Sequence, residues 1–351
     1  MRSRTYIATP PGATIKEQLE DRGMSQKEFA ARMGMSEKHI SQLINGDVQL
    51  TNDTALKLEM VLGLPARFWN NLESIFREKL AKAQAENEMD EDKEIAKMFP
   101  YSEMEKNGWV GEQKDLKGKV FELRSFFEVA RLCYLKNPLV AGVAFRKLGN
   151  GEKTDYALLA WEQKAKIEAR KSNVDPINLG KLEDIAPDFR SMTTKDLTVF
   201  IDELKEKLAE CGIALVVIPH IGGSFLHGAS FYDGKKIIVG VTIRGKDADR
   251  FWFSLYHEIG HVILGHIGKT EGTSEEDERA ADKYAQDILI EPEKYSEFLM
   301  QNEFRESSIQ QFASQIGIDA GIVLGRLQKD GLVRFNQYND LKRRYELPMQ
   351  Y

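Results

Sequence analysis

The sequence predicts a multidomain chain, mainly α-helical, that includes an α+β domain. Three observations predict it. At 351 residues the chain is longer than one ordinary hydrophobic core supports, so two or three domains are expected. Its first 80 residues place apolar side chains at helical spacing, punctuated by serine caps and glycine stops. After residue 197 an amphipathic helix, a group of strands and further helices succeed one another, the order of an α+β unit.

Composition narrows the class. With 42% hydrophobic and 30% charged residues the chain reads as a globular protein. No apolar run approaches the roughly 18–20 residues that span a bilayer, and no basic segment with an apolar core opens the chain. The expectation is a cytoplasmic protein without a membrane partner. Cys133 and Cys211 are the only cysteines, each in an apolar context, which argues against disulfides and cysteine-based zinc sites. The net charge of −6 argues against indiscriminate nucleic-acid binding. Residues 1–80 carry eleven lysines and arginines against ten acids, so any DNA contact there must come from placement of charge.

The first helix is expected from Thr14 to Arg22, with Ile15 and Leu19 inward and Gly23 as its stop. Ser25 and Glu28 have the spacing of a capping box, with Phe29, Ala30 and Met33 as the apolar face of the next helix and Gly34 as its terminator. Ser36 caps a third helix with Ile40, Leu43 and Ile44 inward, closed by Gly46. Two short helices joined at a glycine make a helix-turn-helix, whose second helix reads the major groove. Candidate DNA contacts are Gln26 on the first helix of the pair, then Ser36, Glu37, Lys38, His39, Ser41 and Gln42. These residue types hydrogen-bond base edges and phosphates.

The stretch Ser25-Gln26-Lys27-Glu28-Phe29-Ala30, Gly34-Met35-Ser36, Ile40-Ser41-Gln42-Leu43-Ile44-Asn45-Gly46 and Thr54-Ala55-Leu56-Lys57-Leu58 resembles the Cro/C1 (XRE) DNA-binding repressors. Its continuation, Leu62-Gly63-Leu64-Pro65-Ala66-Arg67-Phe68-Trp69, looks like the HigA-type antitoxin branch. The resemblance covers about Pro11 to Leu80. It implies a five-helix, lambda-repressor-like domain, a homodimer on palindromic operator DNA, nucleoid association when bound, and pairing with a HigB-like RNase toxin.

Lys82 to Lys97 is acidic and nearly free of large apolar residues, so residues 81–98 read as a solvated helix or flexible linker between domains. Residues 99–196 read as a helical middle region, with helices over Ile95–Arg131 and Ala141–Ala169 anchored by Trp109, Phe121, Phe126, Phe127, Phe145 and Trp161. Dimer contacts, a toxin or inducer surface, and a scaffold for the C-terminal half are all compatible with it.

Leu197 to Cys211 is amphipathic and stops at Gly212, and Ile213 to Pro219 is a buried strand. Ala229–Tyr232 and Lys235–Val241, joined by Asp233-Gly234, form a hairpin with a primed turn. Next comes His257-Glu258-Ile259-Gly260-His261. Histidines four apart on a helix share a face roughly 6 Å apart, and neutral imidazoles so placed can both reach a zinc ion at about 2.0–2.1 Å. Glu258 lines the same groove and suits a base that deprotonates water activated by the metal. In Asp277–Ile290 the apolar set Ala281, Tyr284, Ala285 and Ile288 puts Glu278 on the buried face as a third ligand. Asp282, one turn on, is expected to accept the outer N–H of a ligating histidine. His266 competes for the third position. It falls five residues after His261, where the metzincin pattern needs six, so Glu278 is preferred and His266 is expected at the surface or an edge. Of His220 and His227, the latter is the better candidate for contacting substrate.

Arg250 to His261, with Glu278-Arg279-Ala280-Ala281-Asp282-Lys283-Tyr284-Ala285 and Ile290 to Pro292, looks like the ImmA/IrrE zinc metallopeptidases. The resemblance covers roughly Leu197 to Leu332 and implies a zincin-like fold over residues 197–300 that binds Zn2+ and relieves repression by cleaving a regulator. Ala280 departs from it where relatives often carry a second acid, and Glu291 lengthens the junction before Pro292. Residues 301–351 echo the first helix-turn-helix in Phe312-Ala313, Gly317-Ile318-Asp319 and Val323. Gly321 and Gly325 weaken a second reader there, and closing the metal domain is the expected role. The functional expectation is a DNA-binding, antitoxin-like repressor carrying a zinc-dependent metalloendopeptidase that acts on a partner repressor, a toxin or the chain's own linker between Lys82 and Glu94. The alternative is a non-enzymatic antitoxin whose metal domain senses or scaffolds.

Overall fold

A computed structural model of the chain describes residues 2–136, 152–222, 227–242, 247–269 and 272–345. It divides into two compact units, Met1–Glu94 and Ile95–Tyr351. The described residues are mainly helical, with one three-stranded sheet among them. Among the described residues no helix is long and apolar enough to cross a membrane.

The first unit contains α1 (Gly12–Asp21), α2 (Gln26–Met33), α3 (Glu37–Asn45), α4 (Asn52–Leu62) and all but the last two residues of α5 (Ala66–Ala96). Its core gathers Ile15, Phe29, Ile40, Leu58, Leu62 and Trp69 from all five helices, each such side chain contributing about 1.5–3 kcal/mol when fully buried. Ser25 and Ser36 cap α2 and α3 by accepting from the Glu28 and His39 N–H groups at 3.1 and 3.2 Å. Only that half of the capping box at Ser25 forms, because the Glu28 carboxylate turns away to Arg32 at 2.7 Å. Gly34 and Gly46 end their helices at φ 63° and 79°, where a side chain would strain the backbone.

The acidic stretch is helical, since α5 runs through it, but it is more than a solvated spacer. Glu86 accepts from Ser3 Oγ at 2.5 Å, Thr5 Oγ1 at 2.7 Å and Thr5 N–H at 3.0 Å, and Ala83 and Asp92 are buried. The amino-terminal segment therefore docks on this helix and covers part of it.

The second unit begins with α6 (Tyr101–Lys106), α7 (Leu116–Phe127) and a 3-10 turn over Leu132–Lys136. It continues with α8 (Glu152–Ala169), α9 (Leu179–Ile185), a 3-10 segment over Ala186–Thr194, and α10 (Leu197–Ala209). Trp109, Phe126, Phe127 and Trp161 are buried as anchors. Phe121 is not: it is 52% exposed beneath the Lys117 ammonium. Phe145 and the first part of its expected helix lie outside the described residues.

Strands β1 (Ile213–Ile218), β2 (Gly228–Asp233) and β3 (Lys236–Thr242) form a sheet in the order β1-β3-β2. β1 runs parallel and β2 antiparallel to β3. Asp233 pairs with Lys236, so the two-residue loop is Gly234-Lys235 rather than Asp233-Gly234, and Gly234 takes the positive φ of 62° that a primed turn needs. α8 lies against the sheet, where a Cβ on Gly240 would come within 2.5 Å of the Trp161 ring.

The chain closes with α11 (Ala248–Ile263), α12 (Glu275–Leu289), α13 (Pro292–Met300), α14 (Glu306–Ile316) and α15 (Ala320–Lys329). One hydrophobic core runs from Leu182 through the sheet, α11 and α12 to Leu327 and Tyr345. Residues 182–196 and 301–345 thus share the core of the segment between them. α15 is built into that core with Ile322, Val323, Leu324 and Leu327 buried. Its glycines permit close approach: a Cβ on Gly325 would meet Asp249 Oδ2 at 2.6 Å, and one on Gly321 the Lys342 backbone at 3.0 Å. The last segment is clamped to the start of α11 by Ala248 N–H to the Arg343 carbonyl at 2.9 Å and Trp252 Nε1–H to Tyr345 Oη at 2.8 Å.

Candidate metal centre and nucleic-acid interface

α11 buries Phe251, Trp252, Leu255, Tyr256, Ile259 and Val262, so its other face, with His257 and His261, is turned to a cavity of about 900 Å³. α12 packs across it because position 260 is a glycine; a Cβ there would sit 3.0 Å from Tyr284. α12 starts at Ser274, with a reciprocal capping box to Asp277, and that start sets Glu278 opposite the histidines.

The resulting donor set is compact. His257 Nε2 and His261 Nε2 are 3.0 Å apart, and Glu278 Oε2 lies 3.2 and 3.5 Å from them. Three donors at about 2.0–2.1 Å from one ion in tetrahedral arrangement would stand about 3.3–3.4 Å from each other. The triangle has that size, and its two imidazoles and one carboxylate are donors zinc accepts. Among the described residues this is the group of histidine, cysteine and acidic side chains that could hold a metal ion.

Glu278 does not occupy the buried face expected of it. Its side chain is 43% exposed to the cavity, and its Oε1 accepts a short hydrogen bond from Thr273 Oγ1. The buried carboxylate of the first turn is Asp277, which closes the cap and pairs with Lys269 at 2.7 Å. Lys269 and the Ser274 N–H hold the Asp277 carboxyl well below the usual carboxylate range.

Asp282 Oδ1 lies 2.9 Å from His257 Nδ1. A carboxylate only accepts, so that nitrogen donates, which leaves Nε2 as the atom that would bind a metal ion beside Glu278. Lys329 Nζ donates to Asp282 Oδ2 at 3.1 Å and stands 4.5 Å over the Phe253 ring. His257 titrates above its ordinary range: burial pulls it down, but Glu278, Glu258 and Asp282 outweigh burial. Such a field favours a cation at the imidazoles.

His266 is not at the surface. Its side chain is 10% exposed and its Nδ1 lies 3.1 Å from His261 Nδ1. Burial, set against the attraction of Asp277, lowers its pKa. Sequence reasoning missed it by testing only whether it could bind metal; the available signal was its position directly after the helix-stopping Gly265.

Glu258 is buried and lines the same cavity. It lies beside β2, where a Cβ on Gly228 would stand 2.8 Å from Glu258 Cγ. Among the described residues β2 is a terminal strand of the sheet, and its residues Gly228 to Phe231 line the cavity with the histidines. His227, just before β2, is exposed at the cavity rim. The rest of the lining is mixed: Trp161, Phe253 and Ile290 stand beside Glu162, Asp249, Arg326 and Lys329.

In the first unit the structure places Gln26, Glu37, Lys38 and Ser41 in the open and His39 and Gln42 half-buried on α3. Ser36 Oγ is committed as an acceptor to its cap, which leaves its hydroxyl hydrogen to donate. Of the nearby cations, Arg32 pairs with Glu28 and Lys57 with Asp53. Lys38 makes no ion pair among the described residues, so its charge is available to a phosphate.

The helix-turn-helix family model matches residues 15–69. The chain is 35% identical over 74 residues to an uncharacterized HTH-type transcriptional regulator, YddM, of Escherichia coli K12, an alignment covering 21% of this chain and 77% of that protein. It is 42% identical over 57 residues to antitoxin HigA-1 of Vibrio cholerae, covering 16% of this chain and about half, 53%, of that protein's length. Among solved structures, an addiction module antidote protein of a HigA family from Coxiella burnetii aligns at 26% identity over 24% of this chain and 94% of its own, with a TM-score of 0.22.

Proposed function

This chain belongs, through its N-terminal unit, to the helix-turn-helix transcriptional regulators, and from that premise we propose an operator-binding, antitoxin-like repressor whose second unit is a zinc-dependent peptidase of the ImmA/IrrE type. The observation that carries the peptidase reading is the triangle of His257 Nε2, His261 Nε2 and Glu278 Oε2 with Glu258 buried in the same cavity. When bound, zinc supplies Lewis acidity that acidifies water and polarises a carbonyl oxygen.

The chain's own residues do the rest. His257 and His261 present lone pairs, held in that tautomer from outside, and Glu278 completes the set. β2, at the end of the strand order, offers its outer edge to an extended peptide by strand addition, which brings the scissile carbonyl past Glu258. Glu258 accepts the proton of the attacking water and returns it to the leaving amine. Trp161, Phe253 and Ile290 in the lining lower the polarity on their side of the site, which strengthens these interactions there. The substrate is a partner repressor or a HigB-like toxin. The chain's own acidic stretch is a poor one, because residues 82–94 lie within α5 and must unwind before they could pair with a strand edge.

In a repressor of this type α3 enters the major groove. Lys38→Ala combined with Gln42→Ala is expected to weaken operator affinity by about 10- to 100-fold and to lower the salt slope by about one ion. Unchanged affinity in a gel-shift titration would reduce the motif to a packing unit. For the peptidase, the purified chain is incubated with zinc and the product of its neighbouring gene, with and without a chelator, and followed by mass spectrometry. A chelator-sensitive cut supports the reading, and intact proteins in both arms overturn it in favour of a metal-binding antitoxin that hydrolyses nothing. That second reading draws on the 42% identity to HigA-1.

A further inference from the structure

We infer that His266 is a positioning residue that fixes the tautomer of His261 and so its readiness to bind metal, a role that rests on the metal-site reading of His257, His261 and Glu278.

The arrangement starts at the end of α11. Gly265 takes a φ of 70°, the Gly265 N–H bonds to the Val262 carbonyl at 3.2 Å, and the His266 N–H bonds to the His261 carbonyl at 2.9 Å. These are the paired 5→2 and 6→1 bonds of a Schellman motif. The motif folds the residue after the glycine back onto the residue five before it, a place usually taken by an apolar contact. Here the returning side chain is an imidazole, and it meets another imidazole. The offset of five that fails as a metal-ligand spacing is the offset this helix ending imposes.

The direction of the proton is set by the far side of the ring. His266 Nε2 lies 3.4 Å from Asp277 Oδ1. Asp277 is a carboxylate engaged by both Lys269 and the Ser274 N–H, and a carboxylate can only accept. With that negative charge 3.4 Å from Nε2, the ring gains most by carrying its hydrogen there, which turns a lone pair at Nδ1 toward His261. At 3.1 Å that lone pair is satisfied when His261 donates from Nδ1, which leaves His261 Nε2 unprotonated and facing His257 Nε2 and Glu278. His257 is held the same way by Asp282 and Lys329. Each ligating ring thus has its own outer partner, a carboxylate in one case and an imidazole backed by a carboxylate in the other.

The test uses the full-length chain and zinc alone. His266→Leu removes the acceptor and is expected to weaken zinc binding about 10- to 100-fold in chelator competition. His266→Asn, whose side-chain oxygen can stand near the lost Nδ1, is expected to recover most of that loss, which a purely space-filling role would not allow. Long-range proton–nitrogen NMR correlations on the unaltered zinc-loaded protein should show His266 as the Nε2–H tautomer. An Nδ1–H tautomer at His266, wild-type zinc affinity in the leucine variant, or no recovery with asparagine overturns the inference and leaves the metal site standing. Failure of the unaltered chain to bind zinc overturns both.

Discussion

Glu258→Gln is expected to leave zinc and operator DNA bound while slowing peptide cleavage by about 10²–10⁴-fold, the usual worth of a positioned general base. Glutamine matches the size of the buried glutamate, so the packing against Gly228 is kept. The three donors His257, His261 and Glu278 are untouched. What disappears is an acceptor for the water proton. The decisive comparison is single-turnover cleavage by the two proteins at equal zinc content. A variant that cuts at the parent's rate would remove Glu258 from the mechanism. A variant that holds zinc and operator yet derepresses normally in cells would remove proteolysis from the switch.

Gly12→Ala is expected to destabilise the first unit by roughly 3 kcal/mol or more, at the upper end of what overpacking usually costs. A Cβ at position 12 would lie 1.9 Å from the Ile44 carbonyl oxygen and 2.2 Å from Ile44 Cα. These are backbone atoms of α3 and cannot swing aside as a side chain does, so α1 must slide off the recognition helix. A melting experiment should show the first unit's transition falling by about 10 °C or more, with loss of operator binding. Zinc content should stay at the parent's level, because the second unit has its own core. Gly34→Ala is the control: nothing lies within 4 Å of that position, so only the left-handed backbone resists, at about 1 kcal/mol. If the two variants melt alike, close approach is not why position 12 is a glycine.

Much of the local architecture was legible beforehand. Ser25, Ser36, Gly34 and Gly46 mark the ends of α2 and α3 through bonds that span three or four residues, so the chain carries those instructions side by side. The capping box at Ser25 shows the limit, since Glu28 had a second suitor in Arg32 and the pattern did not say which would win. Phe121 was misread for a related reason. Helical spacing states that a residue lies on one face of α7, not that another element covers that face. The burial assigned to Glu278 failed likewise. The apolar set of α12 placed it near the inner edge, but the inner edge opens into a cavity rather than a core.

By itself the sequence determined the helix-turn-helix, the hairpin and the four-residue spacing of His257 and His261. These depend on the period of the backbone and on hydrogen bonds between near neighbours, which sequence order dictates. The tertiary structure decided which distant groups complete the site. Glu278 reaches the two imidazoles because α12 crosses α11 at Gly260, and Asp282 and Lys329 meet because α15 is packed into the same core. His266 turns inward because a left-handed glycine folds the chain back, and its Nε2 comes to lie 3.4 Å from Asp277 Oδ1. Such meetings are set by how elements pack and which charges must be satisfied, quantities that no spacing along the chain encodes.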